Sequence, residues 1–364
     1  MSFSKNRPFN ELPPLPPDAV NLESPEILKH VAKASRHLGE LNGLCASMPD
    51  PQLLINTIVL QESKDSSAIE NIVTTQDELY KAAMEEETAS PAAKEVLSYK
   101  QALYAGLERM KARQNLLVTN TMIKIVQTIK QNKSGIRNTA GAALKNAITG
   151  EVIYTPPCCK EVLGEKLAAL EHFINNDGVS ESDPLIRMAL IHYQFEAIHP
   201  FADGNGRTGR ILNALYLVKE GLLSQPVLYL SSYIVKYKTE YYELLKGVTE
   251  KNNWHDWVMF MLTALIETAR LTTGKIKNML LLKEELEKEM KKTLGASFSH
   301  DLLQLMFTLP YLKIELLEKK QIAHRQTAST WLKKLADAKI LNPQKSGRTT
   351  YYINYRLMEL LTNN

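Results

Sequence analysis

The sequence has few cysteines and no long apolar run, and each absence excludes a class of protein. Its 364 residues include three cysteines, Cys45 and the adjacent Cys158 and Cys159, whose number and spacing fit neither a disulfide framework nor a zinc site. No apolar run is long enough to span a membrane. The start, MSFSKNRPFNELPPLPP, lacks the apolar core of a signal peptide and predicts an extended proline-rich arm. We therefore expect a soluble, cytoplasmic protein.

What the chain does contain is helical periodicity over most of its length, with its positive charge at one end. The net charge is +4, but residues 296–364 contain ten Lys or Arg and five Asp or Glu, so they carry +5 and the rest of the chain carries −1. Such a length allows two or more domains. We predict a mainly α fold with four parts. These are an N-terminal helical region at 1–110, a core at 111–270, a helical linker at 271–295 and a C-terminal domain at 296–364.

The most informative segment is residues 199–210, HPFADGNGRTGR. Asp183-Pro184 predicts the start of a helix before it, since an N-cap residue followed by proline favours helix initiation. This helix should end at about His199, because a following proline disfavours the α conformation. A second helix is predicted to begin near Asn205 and to end at Gly221. The polar residues then lie at the mouth of a helical hairpin.

The start of the second helix is predicted to bind an anion, because its first N–H groups lack partners and carry the positive end of the helix dipole. Gly204 and Gly206 allow a phosphate to approach the backbone closely. Arg207 and Arg210 place two guanidinium groups on the first turn, where both can reach one polyphosphate. Asp203, next to such phosphates, is typical of a Mg²⁺ ligand.

His199 is the residue of this loop that can accept a proton near neutral pH. A histidine before a proline is usually a helix end, and Gly-Asn-Gly alone is usually a turn. The functional hypothesis therefore depends on the conjunction of base, carboxylate, glycines and two arginines within twelve residues. Together they predict a site for a phosphorylated ligand.

The segment resembles the motif HPFx[D/E]GNGRxxR of the Fic domain enzymes and matches it at every fixed position. In that family, the AMP part of ATP is transferred to a hydroxyl side chain (Ser, Thr or Tyr) of a target protein. The resemblance implies that His199 is the base for the target hydroxyl, Asp203 the Mg²⁺ ligand and Phe201 a core anchor. The remaining implied ligands of ATP are Gly204, Asn205 and Gly206 at the α and β phosphates, and Arg207 and Arg210 at the outer phosphates.

Two further segments resemble the family. Gly135-Ile-Arg137 and residues 147–157, AITGEVIYTPP, are similar to the segment that leads into the family's flap. Thr149-Gly150 predicts the turn of a β-hairpin, whose exposed edge from Thr149 to Tyr154 could hold a target peptide through main-chain hydrogen bonds.

Downstream, Glu240-Tyr-Tyr242 resembles family members in which paired tyrosines enclose the adenine of ATP. The resemblance implies this role for Tyr241 and Tyr242. Both residues fit ordinary core aromatics equally well, and the later position that is often Asn in the family is Thr249 here.

An N-terminal motif suggests regulation. Residues 66–71, SSAIEN, match the family's inhibitory motif [S/T]xxxE[G/N]. The resemblance implies that Glu70 reaches the ATP site and pairs with Arg210, which would make the arginine unavailable to a γ-phosphate. Taken alone, Glu70 could equally be a solvated helix residue. Glu70 could also orient a water that removes AMP from a modified protein.

The C-terminal domain has the pattern of a winged helix-turn-helix. Residues 321–341 predict the two helices, and two short strands around Lys345 predict the wing. Such modules bind DNA, dock proteins or form dimers. The charge excess is modest, so DNA binding is not favoured. Formation of a homodimer remains an alternative. The candidate DNA contacts are Gln326, Thr327, Thr330, Lys333 and, on the phosphate backbone, Arg348.

Two function classes remain from the sequence: an autoinhibited adenylylating enzyme, and a DNA-binding regulator with a vestigial Fic core. The intact set of His199, Asp203, Arg207 and Arg210 favours the enzyme, because a scaffold has no need of it. Gly206 argues against a relative that phosphorylates its target, since that relative typically has Lys at this position.

Overall fold

The computed structural model describes residues 3–18, 20–48, 51–85, 89–138, 143–145, 150–347 and 349–362. It confirms the mainly helical fold that the periodicity predicts. The helices are α1 (Pro25–Ser47), α2 (Pro51–Ile69), α3 (Gln76–Met84), α4 (Pro91–Lys111), α5 (Thr119–Lys130), α6 (Lys160–Asn175), α7 (Pro184–Ile198), α8 (Asn205–Lys219), α9 (Leu230–Lys236), α10 (Lys238–Lys251), α11 (Trp254–Leu294), α12 (His300–Thr308), α13 (Ile314–Lys319), α14 (Arg325–Asp337) and α15 (Tyr355–Thr362). The strands are β1 (Leu144–Lys145), β2 (Val152–Tyr154), β3 (Tyr311–Leu312), β4 (Asn342–Ser346) and β5 (Thr349–Ile353).

The helical hairpin α7–α8 lies at the centre of the core. The side chain of Asp183 caps α7 by accepting a hydrogen bond from Leu185 N at 2.8 Å, as the Asp-Pro pair predicts. The helix ends at Ile198 and α8 begins at Asn205, so both predicted boundaries are confirmed. Almost every residue of α7 is buried, because α6, α8 and α11 surround it.

The predicted linker is the second half of a longer helix. α11 runs without a break for 41 residues and contacts α1, α7 and α9 as well as α12, α14 and α15. In this half, Ile276, Leu286, Met290 and Leu294 are buried. The division of the chain into four parts stays a prediction, and α11 connects two of those parts as one rigid element.

The C-terminal domain has the winged helix-turn-helix arrangement that the sequence predicts. Its three strands are antiparallel in the order β3-β5-β4, and β4 and β5 form the wing. The first helix begins earlier than the predicted segment 321–341, because α13 already ends before Gln321, which adopts a left-handed φ of 58°. Residues 321–324 therefore form the turn, and α14 is the second helix.

The candidate DNA contacts Gln326, Thr327, Thr330 and Lys333 are exposed on or beside α14. Arg348 lies outside the described residues, so its predicted contact stays a prediction.

The N-terminal arm packs on the flap, but it is not extended throughout as predicted. Arg7 N donates to Ser4 O and Leu12 N to Phe9 O, each at 3.1 Å, in two turns. β1 and β2 form the expected antiparallel pair, while the predicted turn residue Thr149 lies outside the described residues. Phe9 N donates to Thr155 O at 3.0 Å, and the ring of Phe3 stacks on that of Tyr154 at 5.9 Å. The arm thus holds the residue that follows β2. Within the described residues, no helix is both long and apolar enough to cross a membrane.

Candidate active site

His199 lies where α7 stops, in a left-handed conformation with φ 49°. Arg137 holds this turn: its Nε donates to His199 O at 2.8 Å and its backbone N to Pro200 O at 2.9 Å. Burial and the positive charge of Arg137 lower the pKa of His199 to about 4. The imidazole is therefore neutral at physiological pH and able to accept a proton.

The loop after His199 is braced by Asn205. The side chain of Asn205 accepts from Phe201 N at 2.8 Å and donates to Phe201 O at 2.7 Å. Phe201 is buried in the core, as predicted. Gly204 adopts a left-handed φ of 83°, which a residue with a Cβ rarely takes, and α8 begins immediately after it. The Asn205 amide thus fixes the loop, and the backbone at the helix start is left to bind a ligand.

Arg210 is buried, with 1% of its side chain exposed, and is held by the N-terminal motif. Its guanidinium donates to Glu70 Oε1 at 2.9 Å, and it also donates to the hydroxyl and the carbonyl oxygen of Ser66, each at 2.8 Å. Residues of the two motifs that are 140 positions apart in the chain therefore meet. The negative charge of Glu70 outweighs burial and raises the pKa of Arg210.

Glu70 also lies over the predicted anion cradle. A methyl group placed on the Cα of Gly206 would lie only 2.2 Å from Glu70 Oε1, so the carboxylate rests directly on this glycine. The first turn of α8 therefore already faces a negatively charged group, as the helix dipole favours. Glu70 is located in the space that the sequence assigns to phosphate.

Asp203 is more than half exposed and is paired with a lysine that the sequence analysis did not identify. Its Oδ2 lies 2.6 Å from Lys130 Nζ, at the end of α5. Burial alone would raise the pKa of Asp203, but the hydrogen bond and charge of Lys130 outweigh it and the pKa is lowered. Asp203 is thus an ionised carboxylate at the mouth of the site.

Arg207 is as buried as Arg210 but has a different partner, which the sequence analysis also missed. Its guanidinium pairs with Glu95 of α4 and, at 3.4 Å, with Asp203. Glu95 Oε1 also lies 3.0 Å from Lys130 Nζ. These four groups form one network of two cations and two carboxylates. No local motif surrounds Glu95 or Lys130, so only the packing of α4 and α5 against α8 reveals them.

A second carboxyl, that of Glu196, lies behind the first turn of α8. A methyl group on Gly209 would lie 2.4 Å from Glu196 Oε1, which is buried and has no hydrogen-bond partner among the described residues. Burial, opposed by the charge of Arg210 and assisted by that of Glu70, raises the pKa of Glu196 to about 8. This carboxyl is therefore protonated at neutral pH.

The paired tyrosines differ in exposure. Tyr241 is buried and its hydroxyl hydrogen-bonds His192 Nε2 at 2.8 Å, which also explains His192 as a core residue. Tyr242 exposes 46% of its surface beside it. Of the two, Tyr242 has a face that a nucleotide could contact, and the adenine role of both stays a prediction. Thr249 accepts or donates a hydrogen bond with Tyr193 at 2.9 Å.

Comparison with known proteins finds three matching family models. Residues 28–108 match the model of the Fic/DOC family N-terminal region, residues 116–217 that of the Fic/DOC family, and residues 282–357 that of the protein adenylyltransferase SoFic-like C-terminal domain. The site and its three matched regions define a Fic-type protein. The chain belongs to the Fic/DOC family.

Among curated relatives, protein adenylyltransferase fic-1 of Caenorhabditis briggsae is 38% identical over 65 residues, 18% of this chain and 13% of that protein. Protein adenylyltransferase Fic of Drosophila virilis is 38% identical over 80 residues, 22% of this chain and 15% of that protein. The match thus spans less than a sixth of either relative.

Solved structures agree over a larger part of the chain. A Fic family protein from Desulfovibrio desulfuricans shares 21% identity with a TM-score of 0.58, covering 91% of this chain and 96% of that one. Fic-1 from C. elegans shares 20% identity with a TM-score of 0.53, covering 69% of this chain and 73% of that one. At these identities the similarity shows the fold.

Proposed function

We propose that this protein is an adenylyltransferase that transfers AMP from ATP to a Ser, Thr or Tyr hydroxyl of target proteins and of itself. The observation that carries the proposal is one helix start that combines a neutral histidine, a glycine cradle and two buried arginines. The names of the relatives over the matched segment support the same activity.

The proposed reaction assigns a role to each of these groups. The target oxygen forms a bond to the α-phosphorus of ATP, and the bond from that phosphorus to the α,β-bridging oxygen breaks, so pyrophosphate leaves. His199 accepts the hydroxyl proton, which its low pKa permits because the imidazole is neutral beforehand. The first N–H groups of α8 and the guanidinium of Arg210 stabilise the negative charge on the phosphates.

A Mg²⁺ ion that accompanies ATP would be held by Asp203. Among the described residues no three His, Cys, Asp or Glu side chains cluster to form a metal site. A single exposed carboxylate suits Mg²⁺, which keeps several waters and takes phosphate oxygens as its other ligands. When bound, the ion would neutralise part of the negative charge of the phosphates. Lys130 must give up its contact with Asp203, or share it, for this to occur.

We further propose that Glu70 inhibits the reaction. Its carboxylate occupies the space over Gly206 and holds Arg210, so a γ-phosphate would meet a like charge and lose an arginine. ATP then cannot bind with its α-phosphate in line with the target hydroxyl.

The flap is the proposed docking site for the target. Ile153 of β2 is 40% exposed, and the main chain from Thr149 to Tyr154 would pair with an extended peptide. Such pairing places few demands on target sequence, since it is made by the backbone.

The test uses ATP labelled at the α-phosphate, with the full chain and a cell lysate. We expect Glu70→Gly to increase labelling of itself and of lysate proteins. In that background, His199→Ala should lower the rate by roughly 10² to 10⁴ while ATP binding persists. Arg210→Ala in the same background should abolish most of the gain, because the freed arginine is gone.

Three outcomes would contradict these assignments. Undiminished labelling in the His199→Ala variant excludes His199 as the base. Equal labelling by wild type and Glu70→Gly excludes the inhibition. If Glu70→Gly instead preserves AMP already attached to a target, Glu70 serves the reverse reaction.

A further inference from the structure

Glu70 lies between two helices that both contact the C-terminal domain. We call α2, α3 and the residues between them the brake hairpin (51–84). The contacts described below involve residues 300–362 of the C-terminal domain. α2 packs against α12, and α3 packs against β3. The segment that carries Glu70 is thus anchored at both ends of the hairpin to a domain remote in sequence.

The contact with α3 is made by Tyr311 of β3. Its hydroxyl donates to Asp77 Oδ1 at 2.8 Å, and its ring stacks on that of Tyr80 with centroids 6.0 Å apart and planes 13° apart. Next to it, Lys313 pairs with Glu85 at the end of α3. Tyr80 and Tyr311 are both buried, so the stack is a packed part of the interface.

Hydrogen bonds transmit this contact to α2. Gln61 of α2 donates to the hydroxyl of Tyr80 at 2.7 Å, and Gln61 and Gln76 exchange amide hydrogen bonds of 3.1 and 2.6 Å. The two helices are therefore joined and should move as a unit. α2 also contacts the C-terminal domain directly, because Thr57 Oγ1 donates to Phe307 O at 2.9 Å.

A second route reaches α2 through α11. Leu361 O of α15 accepts a hydrogen bond from Lys275 Nζ at 3.0 Å, and this ammonium lies 5.4 Å from the ring centroid of Tyr229. The hydroxyl of Tyr229 donates to Asp65 Oδ2 at 2.5 Å. Asp65 directly precedes Ser66, which holds Arg210.

The junction leaves room for the hairpin to shift. A cavity of about 540 Å³ lies there, with Leu60 of α2, Ala82 of α3 and Leu309 after α12 among its lining residues. This cavity is open to solvent, so on this side the hairpin does not pack against other side chains.

We propose that the C-terminal domain, through Tyr311, holds the brake hairpin in the position where Glu70 pairs with Arg210, so that loosening this contact releases the inhibition. The inference rests on the proposed inhibitory role of Glu70. It assigns the C-terminal domain a regulatory function that requires no DNA.

The experiment uses the full chain with Tyr311→Ala, which removes ring and hydroxyl, and Tyr311→Phe, which keeps the stack and removes only the hydrogen bond to Asp77. Tyr355→Ala is the matched control, since Tyr355 belongs to the same domain and is 39% exposed. Each is made in wild type and in Glu70→Gly. Hydrogen exchange over residues 60–72 and self-labelling from ATP are measured.

We expect Tyr311→Ala to speed exchange over residues 60–72 and to raise labelling by more than the roughly fivefold that corresponds to one net hydrogen bond, because this variant also removes the ring. Tyr311→Phe should give a smaller increase, and Tyr355→Ala none. In Glu70→Gly none of the three should raise labelling further, because the inhibition is already absent.

Unchanged exchange over residues 60–72 in folded Tyr311→Ala would overturn the proposal. So would an equal rise in labelling in the Glu70→Gly background. If Glu70→Gly itself fails to label, the proposed function fails, and hydrogen exchange alone then decides whether Tyr311 positions the hairpin. The Tyr311→Phe variant keeps the test valid if Tyr311→Ala does not fold.

Discussion

Arg207 and Arg210 lie three positions apart on the first turn of α8 and are equally buried, yet opposite parts of the molecule hold them. Arg207 pairs with Glu95 in the first turns of α4, and Lys130 binds the same carboxylate. Arg210 pairs with Glu70, which follows the last residue of α2 and precedes Asn71, a residue with a left-handed φ of 62°. Glu95 is thus fixed within a helix and shared by two cations, whereas Glu70 lies on a connecting turn.

The comparison shows that identical residues in one motif can have different partners. The Arg207 network keeps its charges balanced whether or not Glu70 is present. The Arg210 pair, in contrast, depends on a single carboxylate, that of Glu70, which lies outside the helices. We therefore interpret Arg207 as a residue that positions the loop and Arg210 as the one that exchanges partners.

The largest effect expected from this comparison is on stability. Glu95→Gln leaves two cations, one of them fully buried, without their shared carboxylate and should lower the free energy of unfolding by about 3 kcal/mol. Glu70→Gln should cost about 1 kcal/mol or less, because a third of Glu70 is exposed and the pair is partly screened. Urea unfolding of the two variants measures the difference. Equal losses would remove the distinction between the two arginines.

An effect of intermediate size concerns pH. Glu196 has a folded pKa of about 8, above the ordinary value of 4.5, so it retains its proton where the unfolded chain has lost it. Its contribution to stability is complete below pH 4.5 and is lost as pH rises to about 8. Glu196→Gln should flatten the decline relative to wild type.

The measured quantity is the difference in the pH dependence of stability between wild type and Glu196→Gln. Glu62, whose pKa burial raises to about 7, contributes to the decline in both proteins and cancels in that difference. Glu70→Gly should move the decline due to Glu196 to lower pH, because the charge of Glu70 helps to raise that pKa. A Glu196→Gln variant with the wild-type dependence on pH would show that Glu196 ionises normally in the folded protein.

The smallest effect expected is on the Mg²⁺ concentration that ATP binding requires. Lys130→Met removes the cation that competes for Asp203 and should lower the Mg²⁺ concentration for half-maximal ATP binding about twofold to fivefold, as suits a partly exposed ion pair. Calorimetric titration of ATP at several Mg²⁺ concentrations tests this. Asp203→Ala should abolish the dependence; a Lys130→Met protein that needs more Mg²⁺ would mean that Lys130 binds phosphate instead.

The sequence predicted the part of the site that is local in the chain. The Asp183-Pro184 cap and the stop at His199 each follow from the conformational limits of one or two residues. The pairing of Glu70 with Arg210 followed from a resemblance to the family, and the contact is present in the structure.

Glu95, Lys130 and Glu196 could not be predicted in this way. Each lies in an ordinary helical stretch, and its place in the site depends on how α4, α5 and α7 pack against α8. The helix-turn-helix boundary shows the same limit on a smaller scale, because α13 has only six residues and little periodicity to indicate it.

The space above Gly206 has one further consequence. A protein carboxylate and a nucleotide phosphate cannot occupy it together, so under the proposed function ATP would bind productively only to the fraction of molecules in which Glu70 has withdrawn. The dissociation constant measured for the wild-type chain then equals the intrinsic constant divided by that fraction. Comparing it with the constant of the Glu70→Gly protein would count the open molecules directly, without any measurement of catalysis.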